Sequence, residues 1–184
     1  AEGAMTVHIG YDVVIEGNTT ENRLSYTYSH GTKIINNIVT AGPSGGDTGI
    51  KGGKSTTVDS IYDNEISGNT ITGYDVGINV QNRDVLIYDN IINDFETGIF
   101  PRNLKDSKIY NNTLVSDRDK SKGIYLNATT LDNVIFEGND ITAKANALKI
   151  TSCNNTTESA NYSVTFSNNN KFTSTSFCFI DLIF

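Results

Sequence analysis

The chain has 184 residues, with 14 basic and 21 acidic side chains and a formal charge of −7. That balance argues against a general nucleic-acid binder, although one basic face stays compatible with it. No apolar run reaches the roughly 18 residues of a membrane span, and two cysteines, Cys153 and Cys178, are too few for a disulfide framework, leaving free thiols or one bridge open. A single domain over 1–184 is the expectation for this length. The opening AEGAMTVHIG has neither the basic nor the apolar part of a secretion signal. Richness in Asn, Thr, Ser, Gly and Ile, with two prolines and no tryptophan, suits short strands joined by tight turns.

In chain order, one phrase returns. IYDN stands at 61–64 and again at 87–90, and IYNN at 109–112. Aligned on one asparagine per unit, the series is Asn18, Asn37, Asn64, Asn90, Asn112 and Asn139, ending at Asn169 or Asn170. Three positions earlier stand Ile15, Ile34, Ile61, Ile87, Ile109, Phe136 and Phe166, and two positions later Val39, Ile66, Ile92, Leu114 and Ile141. Asn69 competes with Asn64, but the spacing around Asn64 is more even. After a variable loop comes a second phrase: Gly49-Ile50, Gly77-Ile78, Gly98-Ile99, Gly123-Ile124 and Ala147-Leu148.

The unit is therefore strand, Asn turn, strand, loop, Gly-Ile strand, loop. No 3.6-residue apolar period appears, which excludes helical repeats. Leucine-rich repeats would carry denser leucines. Period-2 strands with one inward asparagine per turn fit an all-β fold, a parallel β-helix of about seven coils stacked at about 4.8 Å. Its stacked asparagines bond to one another through their amides.

These coils resemble the right-handed parallel β-helix, pectate-lyase-like superfamily of polysaccharide lyases, epimerases and phage tailspikes. The resemblance spans Val7 to about Phe179. It rests on structural residues, so it carries fold more than function. It implies a setting outside the cell, on its surface or on a virion.

Three local motifs have plainer readings. GIKGGKST at 49–56 lacks the spacing of a phosphate loop, with Thr48 where the first glycine belongs. DRDKSKG at 117–123 alternates oxygen ligands as calcium loops do, but its glycine is one place late and Ala128 replaces the closing Glu. Asp84 and Asp106 take equivalent turn positions, roughly 5 Å apart as in a retaining glycosidase, yet Asp12 shares the position and a turn role is the better reading. Tyr62, Tyr88 and Tyr110 are expected to stack outward, mainly as sheet stabilisation.

The Gly-Ile strands carry the functional expectation. With Ile50, Ile78, Ile99, Ile124 and Leu148 inward, alternation turns Lys51, Asn79, Phe100, Tyr125 and Lys149 outward, followed by Gly53, Gln81, Arg102, Asn127 and Thr151. His8 extends the first of these columns. The face gathers cations, amides and aromatics and holds no carboxylate. It suits an acidic polysaccharide, with Lys51, Asn79, Gln81, Phe100 and Asn127 in contact with the sugar chain. Were the chain a lyase, Arg102 would neutralise the uronate, Lys149 or Tyr125 would take the C5 proton, and Tyr125 would protonate the leaving oxygen. No metal or other cofactor is called for. The rival expectation is a non-catalytic structural or adhesive module of a tailspike or surface protein. At the end, FCFIDLIF at 177–184 concentrates apolar residues, which predicts a cover there by self-association, for instance as a trimer, or by further chain.

Overall fold

Asparagine, aspartate and glycine accept the left-handed backbone that most residues avoid, and they stand at the corners of this molecule. The structure, a computed structural model, describes residues 4–53, 61–127, 130–151, 164–167 and 169–174. One corner per coil is made by Gly17, Asn36, Gly68, Asp89, Asn111, Gly138 and Asn169, all with φ between 53° and 72°. Asp12, Gly31, Asp63, Asp84, Asp106 and Asn133 make a second corner, also left-handed. This bears out the turn role of the aspartates.

Among the described residues twenty strands run between the corners, all paired in parallel, and no helix occurs. They build three faces of seven strands each. Face one runs from Met5–His8 through Leu24–Thr27, Thr48–Gly52 and Val76–Arg83 to Lys122–Asn127 and Asn146–Thr151. Face two runs from Val14–Glu16 to Val164–Phe166, and face three from Thr19–Thr20 to Lys171–Ser174. The long strand Thr97–Tyr110 bends through left-handed Asn103 and Asp106 and belongs to faces one and two. The result is a parallel β-helix of seven coils.

Each face sends one apolar column inward. Leu24, Ile50, Ile78, Ile99, Ile124 and Leu148 come from face one. Ile34, Ile66, Ile87, Ile109 and Phe136 come from face two, and Val39, Ile71, Ile92, Leu114 and Ile141 from face three. Burying each such side chain is worth roughly 1.5–3 kcal/mol. The glycine before the face-one isoleucine makes room for this. A Cβ on Gly98 would stand 2.5 Å from Leu114 Cδ2 and 2.7 Å from the Gly123 carbonyl oxygen.

The asparagine ladder runs Asn18, Asn37, Asn69, Asn90, Asn112, Asn139, Asn170. At each step the side-chain Oδ1 accepts both the backbone N–H and the Nδ2 of the asparagine one coil earlier, at 2.9–3.1 Å. The ladder corrects one expectation: Asn69, not Asn64, is its third member. Ile66 pairs with Ile34 and Ile87, so ISGN at 66–69 is the equivalent of IYDN at 87–90. Asn64 lies one corner earlier, where its Oδ1 accepts the Thr32 N–H and its Nδ2 donates to the Ser29 carbonyl. At the far end Asn170 is chosen over Asn169, because Asn169 itself forms the left-handed corner. The apolar stretch at 177–184 and both cysteines lie outside the described residues.

Asn90 Nδ2 also donates to the carbonyls of Ile66 and Tyr88, so its amide is fully used and fully buried. Asn90→Ala strands Asn69 and these carbonyls, and a loss of about 1–3 kcal/mol is expected. Thermal denaturation measures it, and an unchanged melting temperature would refute the ladder.

Candidate functional site

Register decides which side chains of face one point away from the core. Its first outward column is Thr6, Ser25, Lys51, Asn79, Phe100, Tyr125 and Lys149. The second holds His8, Thr27, Gln81, Arg102, Asn127 and Thr151. His8 thus belongs to the second column, opposite Thr27, whose Oγ1 lies 2.8 Å from its Nδ1. Gly53 turns the corner beside Gln81 with φ 79°. The expected contact residues share one surface, and neither column contains a carboxylate.

The chemistry concentrates on the fifth to seventh coils. The rings of Phe100 and Tyr125 stack at 5.5 Å and 15°. The Arg102 guanidinium lies 5.5 Å from the Phe100 ring centre, and Lys149 Nζ 5.9 Å from that of Tyr125. Thr151 Oγ1 lies 3.3 Å from the Tyr125 hydroxyl and 2.9 Å from Asn127 Oδ1. Such a surface offers ring faces to sugar rings, amides to hydroxyls, and two cations to carboxylates. Lys51, Asn79 and Gln81 extend it toward the earlier coils.

Lys122 was not expected here, yet its Nζ is 5.3 Å from the Tyr125 ring. It has the same parity as inward Ile124, but it opens its strand at a corner where alternation breaks. Alternation alone therefore could not find it.

The tyrosine column is only partly assembled. Tyr88 and Tyr110 stack at 4.7 Å and 9°, whereas Tyr62 stands one corner earlier, 4.7 Å from the ring of His30. The slip of Asn64 off the ladder moves Tyr62 with it. The Tyr88 hydroxyl donates to Glu65 at 2.5 Å, which raises the phenol above its ordinary range. Burial pushes the Glu65 carboxyl up, but hydrogen bonds from Tyr88, Lys33 and Ser67 outweigh it and hold it below the usual range. These contacts make the column a brace between coils.

A parallel β-helix with a stacked asparagine core and a polar, cation-bearing face defines the class. The chain belongs to the right-handed β-helix family described as "Periplasmic copper-binding protein (NosD)", which it matches over residues 5–176. It is 36% identical over 140 residues to the uncharacterized protein YclG of Bacillus subtilis (strain 168). That match covers 71% of this chain and 23% of YclG, so the chain spans about a quarter of that relative's length. No solved structure matches.

The family's description raises the question of copper, which takes imidazole, thiolate and thioether ligands. Among the described residues no three His, Cys, Asp or Glu side chains are placed to hold one metal ion. His8 is engaged with Thr27, and His30 packs between the rings of Tyr11 and Tyr62. The described residues do not fit a copper centre.

The charged loop at 117–123 proves to be a clamp. Arg118 bonds Asp94 at 2.7 Å, Asp75 at 3.1 Å and the Gly73 carbonyl at 3.1 Å. Asp119 pairs with Lys144. Hydrogen bonding from Arg118 holds the Asp94 carboxyl below the usual carboxylate range. A depressed carboxyl contributes stability above its unfolded value, about 3.9, and that contribution is lost as pH falls through the folded value. The carboxylates are more than half exposed, so screening limits the gain to about 1 kcal/mol. Arg118→Ala should lower the melting temperature at pH 7, and the gap to the parent should close in acid. A gap of equal size at both pH values would mean that Arg118 acts through packing.

Proposed function

We propose that this chain recognises an acidic polysaccharide along face one, in a compartment outside the cytoplasmic membrane. The observation that carries the reading is the pair of carboxylate-free columns on a chain of net charge −7. In this reading Arg102 pairs with a sugar carboxylate, Phe100 and Tyr125 pack on ring faces, and Asn79, Gln81 and Asn127 bond hydroxyls. Lys51, Lys122 and Lys149 add long-range attraction. The family's periplasmic description supports the location. It lends nothing to a virion.

Cleavage by β-elimination is the stronger form of the proposal. A base removes the C5 proton, the electron pair forms the C4–C5 double bond, and the C4–O bond breaks with protonation of the departing oxygen. Arg102 would neutralise the uronate so that the C5 proton becomes acidic, Lys149 would be the base, and Tyr125 would supply the proton. The rival reading is a non-catalytic structural or adhesive module. The modest share of YclG that the chain spans favours it, since a longer relative has room for chemistry elsewhere.

Retention on immobilised polygalacturonate and alginate tests recognition. Arg102→Ala and Tyr125→Ala should each weaken retention by about tenfold, the scale of one lost charge-assisted or stacking contact. Both side chains point outward, so the melting temperature should not move. Undiminished retention in the double variant moves the site off this face. Growth of the ultraviolet absorbance of an unsaturated uronate, abolished by Lys149→Ala, would establish the lyase; its absence leaves recognition alone.

A further inference from the structure

Just before the second left-handed corner, each of the first six coils turns one side chain out at the edge of face one. In chain order these are Tyr11, His30, Tyr62, Arg83, Lys105 and Asp132. Tyr11 bridges to His30, the Gly31 N–H donates to the Tyr62 carbonyl, and Lys105 stands opposite both Arg83 and Asp132, so they form one column. The first three coils fill it with rings. Those of Tyr11 and His30 lie 4.1 Å apart at 57°, and those of His30 and Tyr62 4.7 Å apart at 72°. Rings tilted on one another, unlike the flat Tyr88–Tyr110 pair, leave faces open to the outside, and Tyr11 is 69% exposed.

Backbone strain marks the same place. One residue beyond the second outward column, Ile9 and Tyr28 are left-handed, with φ 54° and 52°. Asn103 takes that place after Arg102, and asparagine adopts it at little cost. A β-branched or aromatic residue does not, and strain of this kind gathers where ligands bind. Burial does not offset it, since Ile9 is 63% and Tyr28 44% exposed. The Tyr28 ring meets that of His8 edge-on at 5.6 Å, which joins the ridge to the second column of face one.

The ridge also continues the track of the later coils. The Arg83 guanidinium stands 5.7 Å from the Tyr62 ring centre, Gln81 on the same strand stands opposite Arg102, and Arg102 lies over Phe100. Arg83 is paired with Asp84, and Lys105 lies 3.8 Å from Asp132, so ring faces more than charge distinguish the ridge. Asp12 and Asp63 occupy the corner itself, where Asp12 Oδ1 is turned to Gly31. A pyranose unit is about as long as one coil is tall, about 4.8 Å. A sugar chain along the axis therefore covers coils five to seven as a trimer and reaches coil one only as a heptamer or longer.

We infer that Tyr11, Tyr28, His30 and Tyr62 are stacking subsites that carry the polysaccharide of face one onward over coils one to three. The inference rests on the polysaccharide reading of that face and commits it to a polymer bound lengthwise, one ring to a coil.

The test is titration calorimetry of the whole chain with trimers and octamers of galacturonate and of alginate uronates. The octamer should bind at least about tenfold more tightly than the trimer, the scale of two or three stacking contacts. Tyr11→Ala and Tyr28→Gly should each weaken the octamer by about threefold to tenfold and leave the trimer unchanged, whereas Arg102→Ala weakens both. Tyr28→Gly also releases the left-handed strain, so its melting temperature should hold or rise while binding falls. Equal affinities for trimer and octamer, or tyrosine variants that leave the octamer unchanged or weaken both oligomers alike, overturn the ridge, while Arg102-dependent trimer binding keeps the reading of face one. A lowered melting temperature in Tyr28→Gly overturns the role given to the strain. Failure of both oligomers to bind the parent overturns both readings. Self-association seen by light scattering and abolished by Tyr11→Ala would make the ridge a contact between copies and overturn it as well.

Discussion

An asparagine side chain buried at the same corner of every coil is the interaction on which this structure depends. Its carbonyl oxygen accepts two N–H groups from the coil before, and its own Nδ2 donates to backbone carbonyls and to the next asparagine. A corner inside an apolar core exposes backbone groups that water cannot reach. Only a side chain with both donor and acceptor, repeated at the coil spacing, satisfies them all. The ladder thereby sets the register from coil to coil, and the apolar columns follow from it.

Register in turn makes the surface. Once the inward columns are aligned, residues far apart in sequence stand one above another, and their outward neighbours form straight columns. Phe100 lies over Tyr125, and Lys149 follows Tyr125. The ladder corner keeps its length over the first six coils, whereas the connections into and out of face one vary. One of those loops, the glycine-rich 42–47, packs on the next coil, where the Asp75 and Val76 N–H groups donate to the Gly46 and Asp47 carbonyls. Geometry thus separates constancy from variation: the ladder corner is uniform over the first six coils, and the connections on either side of face one carry the chain's individuality.

Much of this was legible in residue order. Short period-2 strands, the recurrent Asn and the Gly-Ile phrase give the fold, the coil count and most of the outward columns. The largest error has one source. IYDN at 61–64 is identical to IYDN at 87–90, yet the two occupy different corners, and Asn64, Ile61 and Tyr62 were misplaced together. Both candidate corners offer a residue that accepts the left-handed backbone, Asp63 before Asn64 and Gly68 before Asn69. Local propensity cannot choose between them.

What the sequence by itself determined is the set of local alternations: which side chains point in, where the chain turns, and that each turn wants Asn, Asp or Gly. These follow from backbone sterics acting over a few residues. What the tertiary structure alone decided is which turn stacks on which, and with it the choice of Asn69 for the ladder and the place of Lys122 beside Tyr125. Those depend on contacts between coils some twenty to thirty residues apart, as in the Asn69–Asn90 and Asn37–Asn69 bonds. The hydrogen bonds that select them exist only once the neighbouring coil is in position.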